Sequence, residues 1–299
     1  MRLRNGRDSG KTGGRAKVVG FTLIELLVVI SILALLMGIL MPVLSLARES
    51  GRSTVCMSNL RGIALAGQIY CNENDGEFPP SRMTTRSATD PTVYVNKYGR
   101  ERPRWPWFFD YGIGPVINPA PYVQNPGDTF GDSDTLIMTN DFFMCPSFNR
   151  PGFDKRDIRN GSYGYNYQYL GNSRVKDGRY ENFPVNQLRI QRPSETVIVA
   201  DNRGILVEGI HGYTLDPPKV ARSVNAEFFA RRNKPTYQEQ HSPADARHSG
   251  KANAAFVDGH TEKNSLQDLG YVLDADGWVI ADHPEGNNRL WSGSGRDEL

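Results

Sequence analysis

The sequence Gly20-Phe21-Thr22-Leu23-Ile24-Glu25 opens an apolar run that continues as Leu26-Leu27-Val28-Val29-Ile30-Ser31-Ile32-Leu33-Ala34-Leu35-Leu36-Met37-Gly38-Ile39-Leu40-Met41-Pro42. Glu25 is the only charged residue between positions 21 and 47. At a rise of about 1.5 Å per residue, a helix over 21–47 spans roughly 40 Å, enough to cross a hydrocarbon core of about 30 Å. The stretch therefore predicts one membrane span, with a short segment before it and a large head after it.

Glu25 is the most informative residue of this span. A carboxylate is costly in an apolar membrane helix, although a position near the helix N-terminus lowers the cost. Such a residue predicts a functional site that needs a charged partner. The alternative is an interfacial acid with no role.

The sequence Gly-Phe-Thr-Leu-Ile-Glu before an apolar run resembles the processing site of prepilins and type II secretion pseudopilins. In that family a prepilin peptidase cuts after the glycine and methylates the new N-terminal phenylalanine, and the fifth mature residue, a glutamate, pairs with a neighbouring subunit's N-terminal amine. The resemblance implies that Gly20 ends the leader, Phe21 is the methylated terminus and Glu25 is the assembly carboxylate. It also implies an α+β, type IV pilin-like fold, in which a long N-terminal helix packs on a mainly antiparallel β-sheet head with long loops.

Basic charge is concentrated in residues 1–20, which we interpret as a leader peptide. This segment holds six basic residues and one acid, a net +5: Arg2, Arg4, Arg7, Lys11, Arg15 and Lys17 against Asp8. Subtracting this from the whole-chain charge of +2 leaves −3 for the rest, so the composition gives no reason to expect a nucleic-acid partner. Basic residues beside a span mark its cytoplasmic side. We therefore expect a single-pass bacterial inner-membrane protein with a cytoplasmic N-terminus and a periplasmic head.

An ordinary secretory signal peptide is the main alternative for residues 1–47. The apolar run is too long for one, no small-residue cleavage site follows it directly, and Glu25 would be unusual inside it. Gly38 and Pro42 are expected to loosen the helix, because glycine costs about 1 kcal/mol relative to alanine and proline removes a backbone hydrogen bond. Type IV filament subunits, by resemblance, show such a loosened segment on assembly.

Beyond Pro42 the pattern becomes amphipathic. Apolar or small residues recur at the spacing of one helical stripe at Cys56, Leu60, Ile63, Gly67 and Tyr70. The polar run over 72–76 predicts the end of the helix. We expect one helix over 21–76, with a transmembrane half at 21–47 and an amphipathic half at 48–76, followed by a globular head at 77–299.

The three cysteines, Cys56, Cys71 and Cys145, exclude a disulfide-rich scaffold and a zinc ribbon. Cys56 and Cys71 lie on one predicted helix at a separation of about 22 Å, so they cannot bridge each other. In an oxidising compartment Cys145 can pair with Cys56. The alternative is that both are free buried thiols.

The head is expected to consist of strands and loops. Loop insertions are predicted near 81–140 and 203–247, where polar residues dominate. The alternation over 162–169 places four tyrosines on one side of a half-buried strand. Residues 195–201 predict a buried strand, and residues 252–263 predict a hairpin with a two-residue Asp-Gly turn.

His248 is followed by nine residues and then by Asp258-Gly259. This resembles a His-x9-Asp-Gly signature near the C-terminus of prepilin-like proteins from planctomycete-type bacteria. His248, Asp258 and His260 are also a candidate cluster for zinc or another divalent ion. Turn chemistry alone explains Asp258-Gly259, with His248 bonding across the turn, so we favour a turn there and expect no metal.

Two loop patterns predict weaker sites. Asp128, Asp132 and Asp134 lie close together near glycines and offer oxygen ligands for calcium, as some pseudopilin heads do by resemblance, although their spacing is not that of an EF-hand. The aromatic segment 104–111 predicts packing under a long loop. The alternative for this segment is a contact patch for a sugar or another subunit.

The sequence contains no Gly-x-Ser-x-Gly elbow and no His-Glu-x-x-His motif. We therefore expect a structural subunit, a pseudopilin of a type IV pilus-like or type II secretion filament, rather than an enzyme, and we expect no cofactor. Its expected partners are prepilin peptidase, other pseudopilin subunits and the inner-membrane assembly platform. The alternatives are a membrane-anchored periplasmic binding protein that keeps the prepilin signal without forming filaments, and a secreted enzyme behind an ordinary signal peptide.

Overall fold

The computed structural model describes residues 21–80, 105–109, 140–149, 161–171, 173–176, 179–182, 185–204, 214–219 and 241–297. The chain forms two compact units, Met1–Ala47 and Arg48–Leu299. The expected leader with Gly20, and the expected calcium ligands Asp128, Asp132 and Asp134, lie outside the described residues.

A single long helix, α1, covers Leu23–Glu73. It ends within the stretch where the sequence predicts a stop. Asp75 and Gly76 adopt left-handed conformations with φ of 52° and 79°, and the Gly76 N–H donates to the Cys71 carbonyl at 2.7 Å. Left-handed residues of this kind satisfy carbonyls that the last helical turn leaves without partners.

α1 is continuous through Gly38 and Pro42. Because Pro42 has no N–H, it cannot donate the helical hydrogen bond to the carbonyl four residues earlier, which belongs to Gly38. Pro42 and Gly38 are therefore the donor and acceptor positions of one missing backbone hydrogen bond. The expected loosening at this point stays a prediction for the assembled protein.

The head contains short strands in the order β1 (Tyr163–Tyr165), β2 (Ser173–Lys176), β3 (Arg179–Asn182), β4 (Val197–Asp201), β5 (Ala252–Phe256) and β6 (Thr261–Asn264). A four-stranded antiparallel sheet has the order β1-β4-β5-β6, and β2 pairs with β3 separately. Every residue of β1, β4 and β5 is buried. One long N-terminal apolar helix and an antiparallel four-stranded sheet confirm the expected α+β class with a pilin-like layout.

The head half of α1 packs on this sheet through the predicted stripe. Cys56, Leu60, Ile63 and Gly67 are buried, whereas Tyr70 is only half-buried. Cys56, Leu60 and Ile63 share one apolar core with residues of β4 and β5, including Ile198, Val199 and Ala255. The helical period in the sequence therefore identified the packing face of the helix correctly.

The tyrosine segment over 162–169 differs from its prediction. It forms a strand only in β1, which is wholly rather than half buried. The strand stops because the chain turns after Asn166, whose carbonyl accepts from the N–H groups of Leu170 and Gly171 at 3.1 and 3.3 Å. The Asn166 side-chain amide fastens this turn by donating to the carbonyls of Val197 and Trp291, at 2.9 and 3.1 Å. The period-2 pattern beyond this residue therefore does not mark a strand.

The β5–β6 hairpin is present, but its loop has three residues instead of two. The Phe256 N–H donates to the His260 carbonyl at 3.0 Å, and the Gly259 N–H donates to the Phe256 carbonyl at 2.9 Å. Gly259 has a φ of 92°, the left-handed conformation that completes a three-residue loop with a bulge. The Asp-Gly signal thus predicted the hairpin but not its loop length.

Part of the aromatic segment belongs to the core. Trp105 and Phe109 are buried and meet edge to face with ring centroids 5.2 Å apart. Each also contacts the ring of Tyr165, at 5.7 and 5.6 Å. These contacts favour the packing interpretation for Trp105 and Phe109.

Candidate functional site

α1 begins at a capping box formed by Thr22 and Glu25. The Thr22 N–H and hydroxyl donate to Glu25 Oε2 at 2.9 and 2.7 Å, and the Glu25 N–H donates to Thr22 Oγ1 at 3.3 Å. In a capping box the two residues satisfy each other's backbone donors. The chain itself therefore holds the carboxylate at the first turn, and both bonds use the same oxygen.

The apolar surface of α1 between Leu23 and Leu46 is exposed all around the helix. By length and composition α1 is able to cross a membrane. An apolar surface of this extent marks contact with lipid or with protein. The N-terminal unit therefore begins with a capped helix N-terminus that carries one acidic side chain. An exposed apolar surface follows, which is expected to contact lipid or protein.

A second candidate site lies in the head. The side chains of Cys56, Cys145, Asp201 and His248, called the buried cluster below, are all buried, and their potential ligand atoms lie within 4.8 Å of one another. Cys56 lies on α1, Cys145 follows a short 3-10 helix at Asp141–Phe143, and Asp201 ends β4. The fold therefore brings together four segments that are far apart in sequence.

His248 is positioned by a tight turn that leads into β5. Ser249 and Gly250 both have positive φ, 54° and 79°, and the His248 N–H donates to the Lys251 carbonyl at 3.0 Å. His248 Nδ1 lies 2.7 Å from Glu49 Oε1. Because that contact occupies one ring nitrogen, the other nitrogen, Nε2, faces the rest of the buried cluster.

The remaining contacts in the buried cluster are short and polar. His248 Nε2 lies 3.4 Å from both Cys145 Sγ and Asp201 Oδ2, and the Asn253 N–H donates to Asp201 Oδ2 at 2.7 Å. Asp201 is wholly buried, yet its Oδ1 has no hydrogen-bond partner among the described residues. One oxygen of this buried carboxylate therefore lacks a donor within the described part of the chain.

The electrostatics of the buried cluster favour charge separation. A hydrogen bond from Cys56, and then contacts with His248 and Arg247, lower the pKa of the Cys145 thiol. The same hydrogen bond between the two sulfur atoms, together with burial, raises the pKa of Cys56. Burial acts to lower the pKa of His248, but hydrogen bonds with Asp201 and Cys145 raise it to about 10. The Cys145 thiol and the His248 ring thus favour a thiolate–imidazolium pair when no metal is bound. Two cysteines, one histidine and one aspartate are also residue types that hold a divalent ion, and the two sulfur atoms lie within 4.8 Å of each other.

All three cysteines are buried thiols in this structure. Cys56 and Cys145 are brought together as expected of partners, while Cys71 lies outside the buried cluster. The disulfide between Cys56 and Cys145 stays a prediction.

The suggested metal set of His248, Asp258 and His260 is not assembled. His248 and Asp258 flank opposite ends of β5, so His248 does not bond across the Asp-Gly turn, which corrects that expectation. Asp258 pairs with His260 instead, at 2.5 Å between Oδ1 and Nδ1.

Residues before, within and after β5 contact the head half of α1. His248 contacts Glu49 from the turn before β5, Asn253 contacts Ser53 from within β5, and Gln68 Nε2 donates to the Val257 carbonyl directly after β5. His248 and Gly259 thus lie in the turns at the two ends of β5.

Three residues of these sites were not predicted from the sequence. Thr22 could have been found from the Thr-x-x-Glu pattern, which is typical of a capping box. Asp201 was placed at the end of a buried strand without a chemical role, and Glu49 was not singled out. Neither had a local signal, because its partners come from distant segments.

Comparison with known proteins identifies one family model, the prokaryotic N-terminal methylation motif, which matches residues 20–41. No curated protein and no solved structure matches the chain significantly. The motif supports a prepilin-like protein and implies processing by a prepilin peptidase and association with a membrane. It covers the capping box and most of the exposed apolar helix.

Proposed function

We propose that the protein is a structural subunit of a type IV pilus-like filament, of the type II secretion pseudopilin class. The observation that carries this proposal is the coincidence of the methylation motif at residues 20–41 with a helix half whose apolar side chains are exposed. In a filament, the same surface that crosses the membrane before assembly becomes the packing surface between subunits afterwards.

Processing sets the state of the N-terminus in this proposal. The peptidase cuts between Gly20 and Phe21 and methylates the new amine of Phe21, while the basic leader stays on the cytoplasmic side and the head lies in the periplasm. Thr22 and Glu25 then begin the mature helix one residue after the new terminus. Residues 21–25 therefore carry both the new positive charge and the acid that meets it.

The geometry of Glu25 supports a role between subunits. The capping box uses Oε2 for both bonds from Thr22. Oε1 makes no hydrogen bond within the described residues, so a neighbouring subunit's amine can approach it without breaking the cap. Assembly is then favoured by helix packing and by this charge pair, which lies where water is excluded and electrostatic attraction is strong.

The protein acts as a substrate of prepilin peptidase rather than as an enzyme. Its other partners in this proposal are further pseudopilin subunits and the inner-membrane assembly platform. We also propose that the His248-x9-Asp258-Gly259 pattern is the signature found in prepilin-like proteins of planctomycete-type bacteria. The support is that both ends of the pattern have structural roles, His248 in the buried cluster and Gly259 in the hairpin loop.

Mass spectrometry of the mature N-terminus, on protein isolated from its native membrane, tests the processing step. The expected terminus is N-methylated Phe21. As a control, Gly20→Val places a bulky side chain beside the scissile bond and should leave the leader attached. A native chain that retains residues 1–20 contradicts the proposal, and a terminus well beyond Phe21 supports the secreted-enzyme alternative.

A further inference from the structure

We propose that the buried cluster is a structural zinc site that fastens α1 to the sheet of the head. Two sulfur donors, one imidazole nitrogen and one carboxylate oxygen form a donor set that suits zinc, whereas calcium and magnesium prefer oxygen ligands alone. The four ligands come from α1, the loop that contains Cys145, the end of β4 and the turn before β5. A bound ion would cross-link all four segments.

The distances fit tetrahedral coordination. Zinc bond lengths of about 2.0 to 2.3 Å at tetrahedral angles separate neighbouring donor atoms by about 3.3 to 3.8 Å. His248 Nε2 lies 3.4 Å from Cys145 Sγ and 3.4 Å from Asp201 Oδ2, inside that interval. All donor atoms lie within 4.8 Å of one another, so closing the site needs shifts of about 1 Å at most.

The surroundings orient the ligands as a metal site requires. A metal-bound imidazole usually donates its second N–H to a carboxylate, which fixes the ring and its tautomer. Glu49 occupies that position, 2.7 Å from His248 Nδ1, and Glu49 itself accepts a hydrogen bond from Ser147 at 2.9 Å. The Asn253 N–H holds Asp201 Oδ2 in place at 2.7 Å.

Asp201 supplies an independent pointer to a cation. Burying a carboxylate oxygen without a hydrogen bond is costly, and Asp201 Oδ1 is in that position within the described part of the chain. A disulfide between Cys56 and Cys145 would leave this buried carboxylate uncompensated on that side. A zinc ion bound through either oxygen of Asp201 would compensate the carboxylate charge and engage all four side chains.

A nearby cation offsets part of the excess negative charge of the ligands. Two thiolates and one carboxylate exceed the charge of a divalent ion by one unit. The Arg247 guanidinium lies close enough to influence both Asp201 and Cys145, although it also pairs with Asp245 at 3.0 Å. Zinc binds thiolates and a neutral imidazole nitrogen, so the protons that the two sulfurs and His248 Nε2 carry in the metal-free head are released to solvent. With all four positions filled by protein the site is closed, which is typical of a structural role.

The test uses untagged full-length protein, purified in detergent from its native membrane without chelators. Metal analysis should find one zinc per chain, and denaturing alkylation should find three reduced cysteines. After exchange with cobalt, the protein should show the visible absorption of tetrahedral cobalt and the near-ultraviolet bands of thiolate-to-cobalt charge transfer. The cobalt spectrum needs no variant, so it decides the question even if a variant fails to fold.

Variants then locate the site. Cys145→Ser should lose the metal, while Cys71→Ser, which removes an equally buried thiol outside the buried cluster, should keep it. Glu49→Gln should weaken metal affinity by about 10- to 100-fold, the usual effect of losing a group that orients a ligand, as measured by competition with a chromophoric chelator.

Three results would overturn the proposal. One is a disulfide between Cys56 and Cys145 in protein alkylated directly from cells. Another is wild-type protein that yields no zinc and no tetrahedral cobalt spectrum. The last is full metal content in Cys145→Ser. None of these bears on filament assembly, so the zinc site and the proposed function fail or stand separately.

Discussion

Gly67→Ala tests how α1 is seated on the sheet. A Cβ at this position would lie 2.8 Å from Phe109 Cε1 and 3.1 Å from Ile198 Cδ1, both closer than ordinary contacts. Phe109 and Ile198 are wholly buried, so neither withdraws without disturbing the core. Overpacking of this kind costs about 1–3 kcal/mol, whereas the better helix propensity of alanine contributes about 1 kcal/mol. The expected net loss in free energy of unfolding is about 0–2 kcal/mol.

Gly51→Ala is the matched control on the same helix. A Cβ at Gly51 would meet nothing within 4 Å, so this variant should gain about 1 kcal/mol from propensity alone. The difference of about 1–3 kcal/mol between the two variants corresponds to roughly 2–12 °C in Tm for a unit of this size. Thermal unfolding followed by tryptophan fluorescence measures it, since all four tryptophans lie in the head. If Gly67→Ala melts at or above Gly51→Ala, the close approach of α1 to the sheet is wrong.

Three further predictions concern assembly and pH. Glu25→Gln keeps an acceptor for the helix cap but removes the negative charge. Glu25→Gln and Glu25→Ala should therefore both be processed by the peptidase yet enter filaments poorly, as measured by sedimentation. Normal incorporation of Glu25→Gln would show that the charge is not required. Pro42→Ala restores the hydrogen bond to the Gly38 carbonyl. It should also reduce incorporation into filaments while leaving processing by the peptidase unchanged. Incorporation at the wild-type level would refute the need for a loosened helix at this position. Burial holds the pKa of His241 below its usual value of 6.5, so the folded head binds fewer protons there than the unfolded chain and should lose stability as the pH falls below about 6.5. Tm measured against pH should flatten in His241→Gln, and an unchanged slope would assign the dependence to other groups.

Periodic features of the fold were readable from the sequence. The apolar run and the stripe at Cys56, Leu60, Ile63 and Gly67 fix α1 and its packing face, because helix geometry repeats at a known interval. The Asp258-Gly259 pair likewise announced a hairpin. Its loop length was not readable, since it depends on whether Gly259 acts as a turn residue or as a bulge.

The buried cluster could not be predicted in the same way. Cys56 and Cys145 were recognised as possible partners, but Asp201 and His248 join them only because β4 and β5 lie side by side under α1. The set of His248, Asp258 and His260, which we did not favour as a metal site, is not assembled because β5 lies between His248 and Asp258. Contacts between distant segments are set by sheet order, which local spacing does not encode.

The central claim, that exposed α1 surfaces of neighbouring copies pack together, is tested most directly by cysteine cross-linking in the native cell. Leu36→Cys places a thiol on the exposed apolar half of α1, and Asp276→Cys places one on an exposed turn of the head as the control. Under mild oxidation we predict covalent dimers of Leu36→Cys well above the level of Asp276→Cys, and a marked loss of those dimers when Glu25→Ala is added. Equal, low cross-linking of both variants would contradict the account and leave α1 as a solitary membrane anchor.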